Sequence, residues 1–106
     1  MQRRELLSFE ELLFLAEQAA REMWSEFLTN EHQVNVFLPE CMRYERAWMF
    51  FRHPDVQIPK NRPLMDGAVV ISGFGEVRHT VSYYPDYNAC MKYLKTMSDY
   101  FKRKDL

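Results

Sequence analysis

Arg43-Tyr44-Glu45-Arg46-Ala47-Trp48-Met49-Phe50-Phe51-Arg52 carries apolar residues on both faces when read as one extended segment. Side chains alternate across a strand, so Tyr44, Trp48 and Phe50 point one way and Ala47, Met49 and Phe51 the other. A strand with one solvated face alternates apolar with polar residues, so this one needs a cover on each side. The second cover is another layer of the same domain, a second copy or a partner protein.

Upstream, Val34, Val36 and Leu38 alternate with Asn35 and end at Pro39, as a strand does. The short connection Glu40–Met42 would then turn a hairpin into the aromatic strand. Before it, Ser8 and Glu11 stand in the Ser-x-x-Glu capping-box pattern. Phe9, Leu12, Leu13, Ala16, Ala19, Ala20, Met23 and Phe27 recur at helical spacing, with Trp24 and Leu28 widening the stripe. Glu10, Glu17, Gln18, Arg21, Glu22 and Glu26 fill the opposite side. The spacing predicts an amphipathic helix from about Phe9 to Phe27, stopped by Thr29-Asn30-Glu31-His32. Leu13 is expected against the sheet.

Downstream of the aromatic strand, His53-Pro54-Asp55 and Pro59-Lys60-Asn61-Arg62-Pro63 make a polar, proline-punctuated loop. Long loops in compact domains are frequently functional. Gly67–Ser72 encloses the β-branched run Ala68-Val69-Val70-Ile71, which has the continuous apolar character of a central strand. Gly73-Phe74-Gly75 supplies a turn, and Glu76–Tyr84 alternates Val77, His79, Val81 and Tyr83 with Arg78, Thr80 and Ser82. Pro85-Asp86 opens a last helix from Tyr87 to about Arg103, with Cys90, Met91, Leu94, Met97 and Phe101 on one side. Helix, four strands and helix in this order predict a single α+β domain over residues 1–106, with a four-stranded antiparallel sheet in a single layer pair.

Composition narrows the function classes. A chain of 106 residues can bury roughly two-thirds of its unfolded surface and fold unaided. With 47% hydrophobic and 15% aromatic residues it is not a disordered tail. A formal charge of −1 gives no electrostatic case for nucleic acid or an anionic membrane. No apolar run approaches the roughly 20 residues of a membrane span. Met1-Gln2-Arg3-Arg4-Glu5 leads into an amphipathic segment rather than a signal peptide, which makes the cytoplasm the expected compartment. Reduced thiols at Cys41 and Cys90 follow from that compartment.

Candidate chemistry is sparse. His32, His53, His79, Cys41 and Cys90 show none of the short ligand pairs of a zinc site, so neither metal nor other cofactor is expected. His79, among the valines of one strand face, reads as a hydrogen-bonded core histidine. Gly73-Phe74-Gly75 falls short of a phosphate-binding glycine pattern. The acids of the first helix lie on a solvated side, and no nucleophile has a base beside it, so no catalytic residue is assigned. Lys92, Lys95, Lys102, Arg103 and Lys104 complement the C-terminal end of the last helix dipole. Interfaces join an aromatic or arginine-bearing centre to a polar rim. A partner is therefore expected on the loop after the aromatic strand, at Arg52, His53, Asp55, Lys60, Asn61, Arg62 and Asp66, with Arg52 and Arg62 as charged anchors. The plainer reading is a solvated connection, with the last helix covering the second face.

From Ala47 to Leu94 the order of features resembles the immunity protein 35 family of small bacterial polymorphic-toxin immunity proteins. The residues that carry the resemblance are the aromatic strand Trp48-Met49-Phe50-Phe51 with its polar loop, the aliphatic strand Gly67–Ser72 and the turn Gly75-Glu76-Val77. The helix start from Pro85-Asp86-Tyr87 to Tyr93-Leu94 completes the pattern. Asp66-Gly67-Ala68-Val69 stands where the family usually has Gly-Asn-x-Pro. The resemblance implies an antitoxin-like inhibitor that binds a cognate toxin stoichiometrically and needs no catalytic group. An NTF2-like or cystatin-like domain shares the helix-then-sheet order. It would bind a small ligand, or act as an enzyme, in a sheet-face pocket lined by Trp48, Phe50, His79 and Tyr83.

Overall fold

The aromatic strand is covered on both faces by the chain's own helices. The computed structural model describes residues 5–28 and 35–106. The expected loop Thr29–His32 and Val34, like Met1–Arg4, lie outside the described residues. The elements are α1 (Phe9–Met23), a 3-10 turn (Ser25–Phe27), β1 (Phe37–Tyr44), β2 (Ala47–Arg52), a 3-10 turn (Pro63–Met65), β3 (Gly67–Ser72), β4 (Val77–Val81) and α2 (Tyr87–Lys104). The strands pair in sequence order, antiparallel throughout, so β2 and β3 are central and β1 and β4 are edges.

Trp48, Phe50, Val69 and Ile71 point to one face and pack with Leu12, Ala16, Ala20 and Trp24. Ala47, Met49, Phe51, Ala68 and Val70 point to the other and pack with Cys90, Leu94 and Phe101. The α+β class and the order of elements are as expected, but the layers number three rather than a single pair. The cause is the two-sided apolar character of β2 and β3, whose residues are buried on both faces apart from Arg52. α1 lies over β3 and β4, and α2 lies over β1 and β2 on the opposite side.

The N-terminal helix starts as its capping box dictates. The Ser8 hydroxyl accepts from the Glu11 amide at 3.1 Å and the Glu11 carboxylate accepts from the Ser8 amide at 3.1 Å. Its regular part stops at Met23, and a 3-10 turn carries the chain on to Phe27. Leu12, Ala16, Ala20 and Trp24 are fully buried, Leu13 and Met23 are half-buried, and Phe9 is exposed. At the start of α2 the Asp86 carboxylate accepts from the Ala89 amide at 3.1 Å.

The first hairpin departs from expectation. Its turn is Glu45–Arg46, with Tyr44 opposite Ala47, so Arg43–Arg52 belongs to two strands and Glu40–Met42 is inside β1. Glu45 takes φ 46°, a left-handed conformation that neither glycine nor asparagine announces here. α2 holds it there: the Ser98 hydroxyl accepts from the Arg46 amide at 3.1 Å, and Lys102 pairs with Glu45. The turn also moves Tyr44 to the α2 side. Pro39 does not end a strand but sits within β1, where the register is irregular between Phe37 and Cys41, and an edge strand tolerates the missing donor.

The second hairpin turns through Gly73-Phe74-Gly75. Gly75 adopts φ 97°, which a side chain would strain, and the Ser72 hydroxyl accepts from the Phe74 and Glu76 amides. β4 ends at Val81 rather than near Tyr84. The following segment crosses the end of the sheet, where the Tyr84 ring lies 4.9 Å from that of Phe51.

Candidate partner-binding site

The loop between β2 and β3 is built by ties that reach far along the chain. Val56 is fully buried in the α1-side core, and Ile58 packs against the same core. The Trp24 indole N–H donates to the Met65 carbonyl at 2.8 Å, which fastens the end of the loop to the end of α1. At the base the His53 amide donates to the Val36 carbonyl at 2.9 Å.

The seven residues expected at the interface divide into two groups. Arg52, half-buried, donates to the Val56 carbonyl and pairs with Asp66 at 2.9 Å. His53 accepts at Nδ1 from the Asp55 amide at 2.9 Å, a local turn. Arg62 makes a two-pronged contact with the Glu26 carboxylate at 2.7 and 3.1 Å, 5.5 Å above the Phe27 ring. The hydrogen bond to Glu26, and then its charge, hold the Arg62 guanidinium pKa above its ordinary value. These residues hold the loop, and Arg52 in particular is a pin rather than a free anchor. Lys60 and Asn61, by contrast, are exposed beside Pro59.

No protein-family model, curated protein or solved structure matches this chain.

The four residues of the sheet-face pocket do not come together. Trp48 and Phe50 are buried beneath the α1-side layer. Tyr83 lies beyond β4, its ring 6.1 Å from Tyr93 of α2. His79 shares the face of Phe50 but lies beyond the cover of α1, so it is an exposed residue and not a core histidine. It borders a recess of about 220 Å³ with Met23, Met65, Asp66 and Val81, where partial burial lowers its pKa. Cys90 is buried and Cys41 half-buried, both free thiols, and burial raises the pKa of each. Among the described residues no group of three or more His, Cys, Asp or Glu is placed to hold a metal ion. No helix among them is long and apolar enough to cross a membrane.

Sequence reasoning passed over a second exposed patch. Val81 at the end of β4, and Tyr83, Tyr84 and Tyr87 after it, are all open to solvent. The Tyr84 and Tyr87 hydroxyls donate to the two oxygens of the Glu40 carboxylate at 2.9 and 2.8 Å, joining the α2 start to β1. The bond to Glu40, with a lesser one to Tyr84, raises the Tyr87 phenol pKa. The crowding of tyrosines around Pro85 was the available signal, since such side chains serve interfaces as well as cores.

Proposed function

We propose that this chain is a bacterial immunity protein that binds a cognate toxin stoichiometrically in the cytoplasm and neutralises it through the Arg52–Asp66 loop. The observation that supports this reading best is the pre-organisation of that loop. Val56 buried in the core, the Trp24–Met65 hydrogen bond and the Arg62–Glu26 contact order it in advance. A loop already ordered loses less conformational entropy on docking, which favours tight association. Lys60, Asn61 and the outer side of Arg62, framed by Pro59 and Pro63, supply a polar rim of mixed character. The resemblance of the Ala47–Leu94 order of features to the immunity protein 35 family favours the same class of partner.

The ligand-pocket alternative draws less support. Its aromatic lining is packed beneath α1, and the recess beside His79, at about 220 Å³, falls below the ~300–1,000 Å³ usual for ligand sites.

The test is co-purification of this chain with the product of any toxin-sized gene found adjacent to its own, alongside growth rescue when the two are co-expressed. A one-to-one complex and restored growth are expected, and Lys60→Glu with Asn61→Glu, which leaves the Arg62–Glu26 tie intact, should weaken both. Absence of a complex, or affinity within twofold of the parent in the double variant, refutes the reading. Arg52→Glu is the poorer probe, because it also releases Val56 and Asp66.

A further inference from the structure

We propose that the outer edge of β4 is a dimerisation surface, on which two copies of this chain pair β4 to β4, antiparallel and two-fold about His79. The inference begins with hydrogen-bond parity. The Ser72 amide donates to the Glu76 carbonyl at 2.9 Å, and Ser72 opposite Glu76 continues the β3–β4 register. In an antiparallel ladder alternate residues turn their polar groups to the neighbouring strand, so Arg78 and Thr80 face β3. Val77, His79 and Val81 then turn theirs outward. Among the described residues, the outward N–H and C=O of His79 and Val81 meet no hydrogen-bond partner, while the Val77 carbonyl accepts from Arg78 at 3.0 Å. A carbonyl has a second lone pair, so that bond leaves room for another.

The two edges of the sheet differ. β1 is blunted by Pro39, by its register irregularity and by the Glu40 contacts with Tyr84 and Tyr87. Such devices keep an edge from acting as a template for another strand. β4 pairs with β3 in unbroken register over all five residues and contains neither proline nor lysine.

The occupant is identified by the pattern Val77-Arg78-His79-Thr80-Val81, which reads apolar, polar, histidine, polar, apolar in either direction. Rotation about His79 sets Val81 against Val77 of the second copy, Arg78 against its Thr80 and His79 against its His79. A two-fold contact must be self-complementary in this way. Val81, 64% exposed, then covers the partly buried Val77 at the rim of the α1-side core. A register centred on Arg78 would oppose like charges, and one centred on Thr80 would engage only three strand residues. In the His79 register the two Arg78 side chains are diagonal, each already paired with its own Glu76 at 2.8 Å. The formal charge of −1 puts little repulsion between whole copies. A strand from an unrelated protein would require no such symmetry.

The test uses the intact chain alone, so its outcome is independent of toxin binding. Sedimentation equilibrium should give twice the chain mass at micromolar concentration, and Val81→Lys should weaken the dimer by about tenfold or more while leaving the far-ultraviolet circular dichroism spectrum unchanged. His79→Cys under mild oxidant should form a covalent dimer, because directly opposed residues place their Cα atoms about 5.5 Å apart, within disulfide reach. Val77→Cys, which faces Val81 and not itself, should not, and neither should the parent chain with Cys41 and Cys90. A monomer at every concentration up to about 100 μM overturns the proposal. So does a dimer that His79→Cys fails to cross-link or that Val81→Lys fails to weaken.

Discussion

The indole of Trp24 and the carbonyl of Met65, 41 residues apart in sequence, meet in a 2.8 Å hydrogen bond where the end of α1 adjoins the end of the β2–β3 loop. Trp24 is fully buried, so its N–H has no access to water as a substitute. Trp24→Phe keeps most of the packing but removes the donor. It should cost about 1 kcal/mol, the net worth of one hydrogen bond, because the Met65 carbonyl left behind is only half-buried. Limited proteolysis within Arg52–Asp66 should accelerate in parallel. Unchanged urea midpoint and cleavage rate would show that this bond does not hold the loop.

Leu12 and Leu13 distinguish the inward side of α1 from its flank. Leu12 is fully buried among Ala16, Ala20 and Val69, whereas Leu13 is only half-buried. Leu12→Ala should cost about 2–5 kcal/mol by denaturant unfolding, and Leu13→Ala clearly less. The reverse order would mean that the helix is rotated.

His79 should make stability fall as the solution becomes acidic. Partial burial lowers its folded pKa below the ordinary 6.5, so the unfolded chain takes up the proton first. Folding is therefore unaffected by this group well above 6.5 and is penalised as the pH falls through 6.5 toward the lower folded value. Replacing His79 by Gln removes the penalty, so the variant should gain on the parent between about pH 7.5 and 5.5. Parallel stability curves for the two proteins over that interval would exclude the effect.

The two thiols should react unequally. Cys90 is inaccessible, and its pKa is raised first by burial and then by the Asp86 charge, partly offset by a hydrogen bond from the Tyr83 backbone. Cys41 is half-buried on the β1 edge, and burial raises its pKa too. Alkylation at neutral pH, followed by mass spectrometry, should label Cys41 slowly and Cys90 only as fast as the protein opens. Equal rates in the native state would contradict the packing of α2 on the sheet.

Elements with local determinants were legible in the sequence, and those with distant determinants were not. The Ser8–Glu11 capping box, the Asp86 cap and the glycine turn of the second hairpin all act over a few residues, and each lies where its pattern placed it. The first hairpin was misread because Glu45 and Arg46 carry no turn chemistry of their own; Ser98 and Lys102, about fifty residues away, fix them. The residues expected at the interface were readable as a polar, charged loop. That Arg62 answers Glu26 and Arg52 answers Val56 and Asp66 was not, since ion pairing between distant segments leaves no periodicity to read.

By itself the sequence determined that β2 and β3 must be sheathed on both faces, because a period of two applied to Trp48-Met49-Phe50-Phe51 leaves no polar side. It also determined that amphipathic helices flank the sheet. Only the tertiary structure decided which helix covers which face. α1 takes β3 and β4, α2 takes β1 and β2, and the offset leaves His79 and Val81 uncovered at one edge. The physical reason is that burial is non-directional: an apolar stripe requires a cover, and chain connectivity and the crossing of Ser82–Asp86 over the sheet end select it.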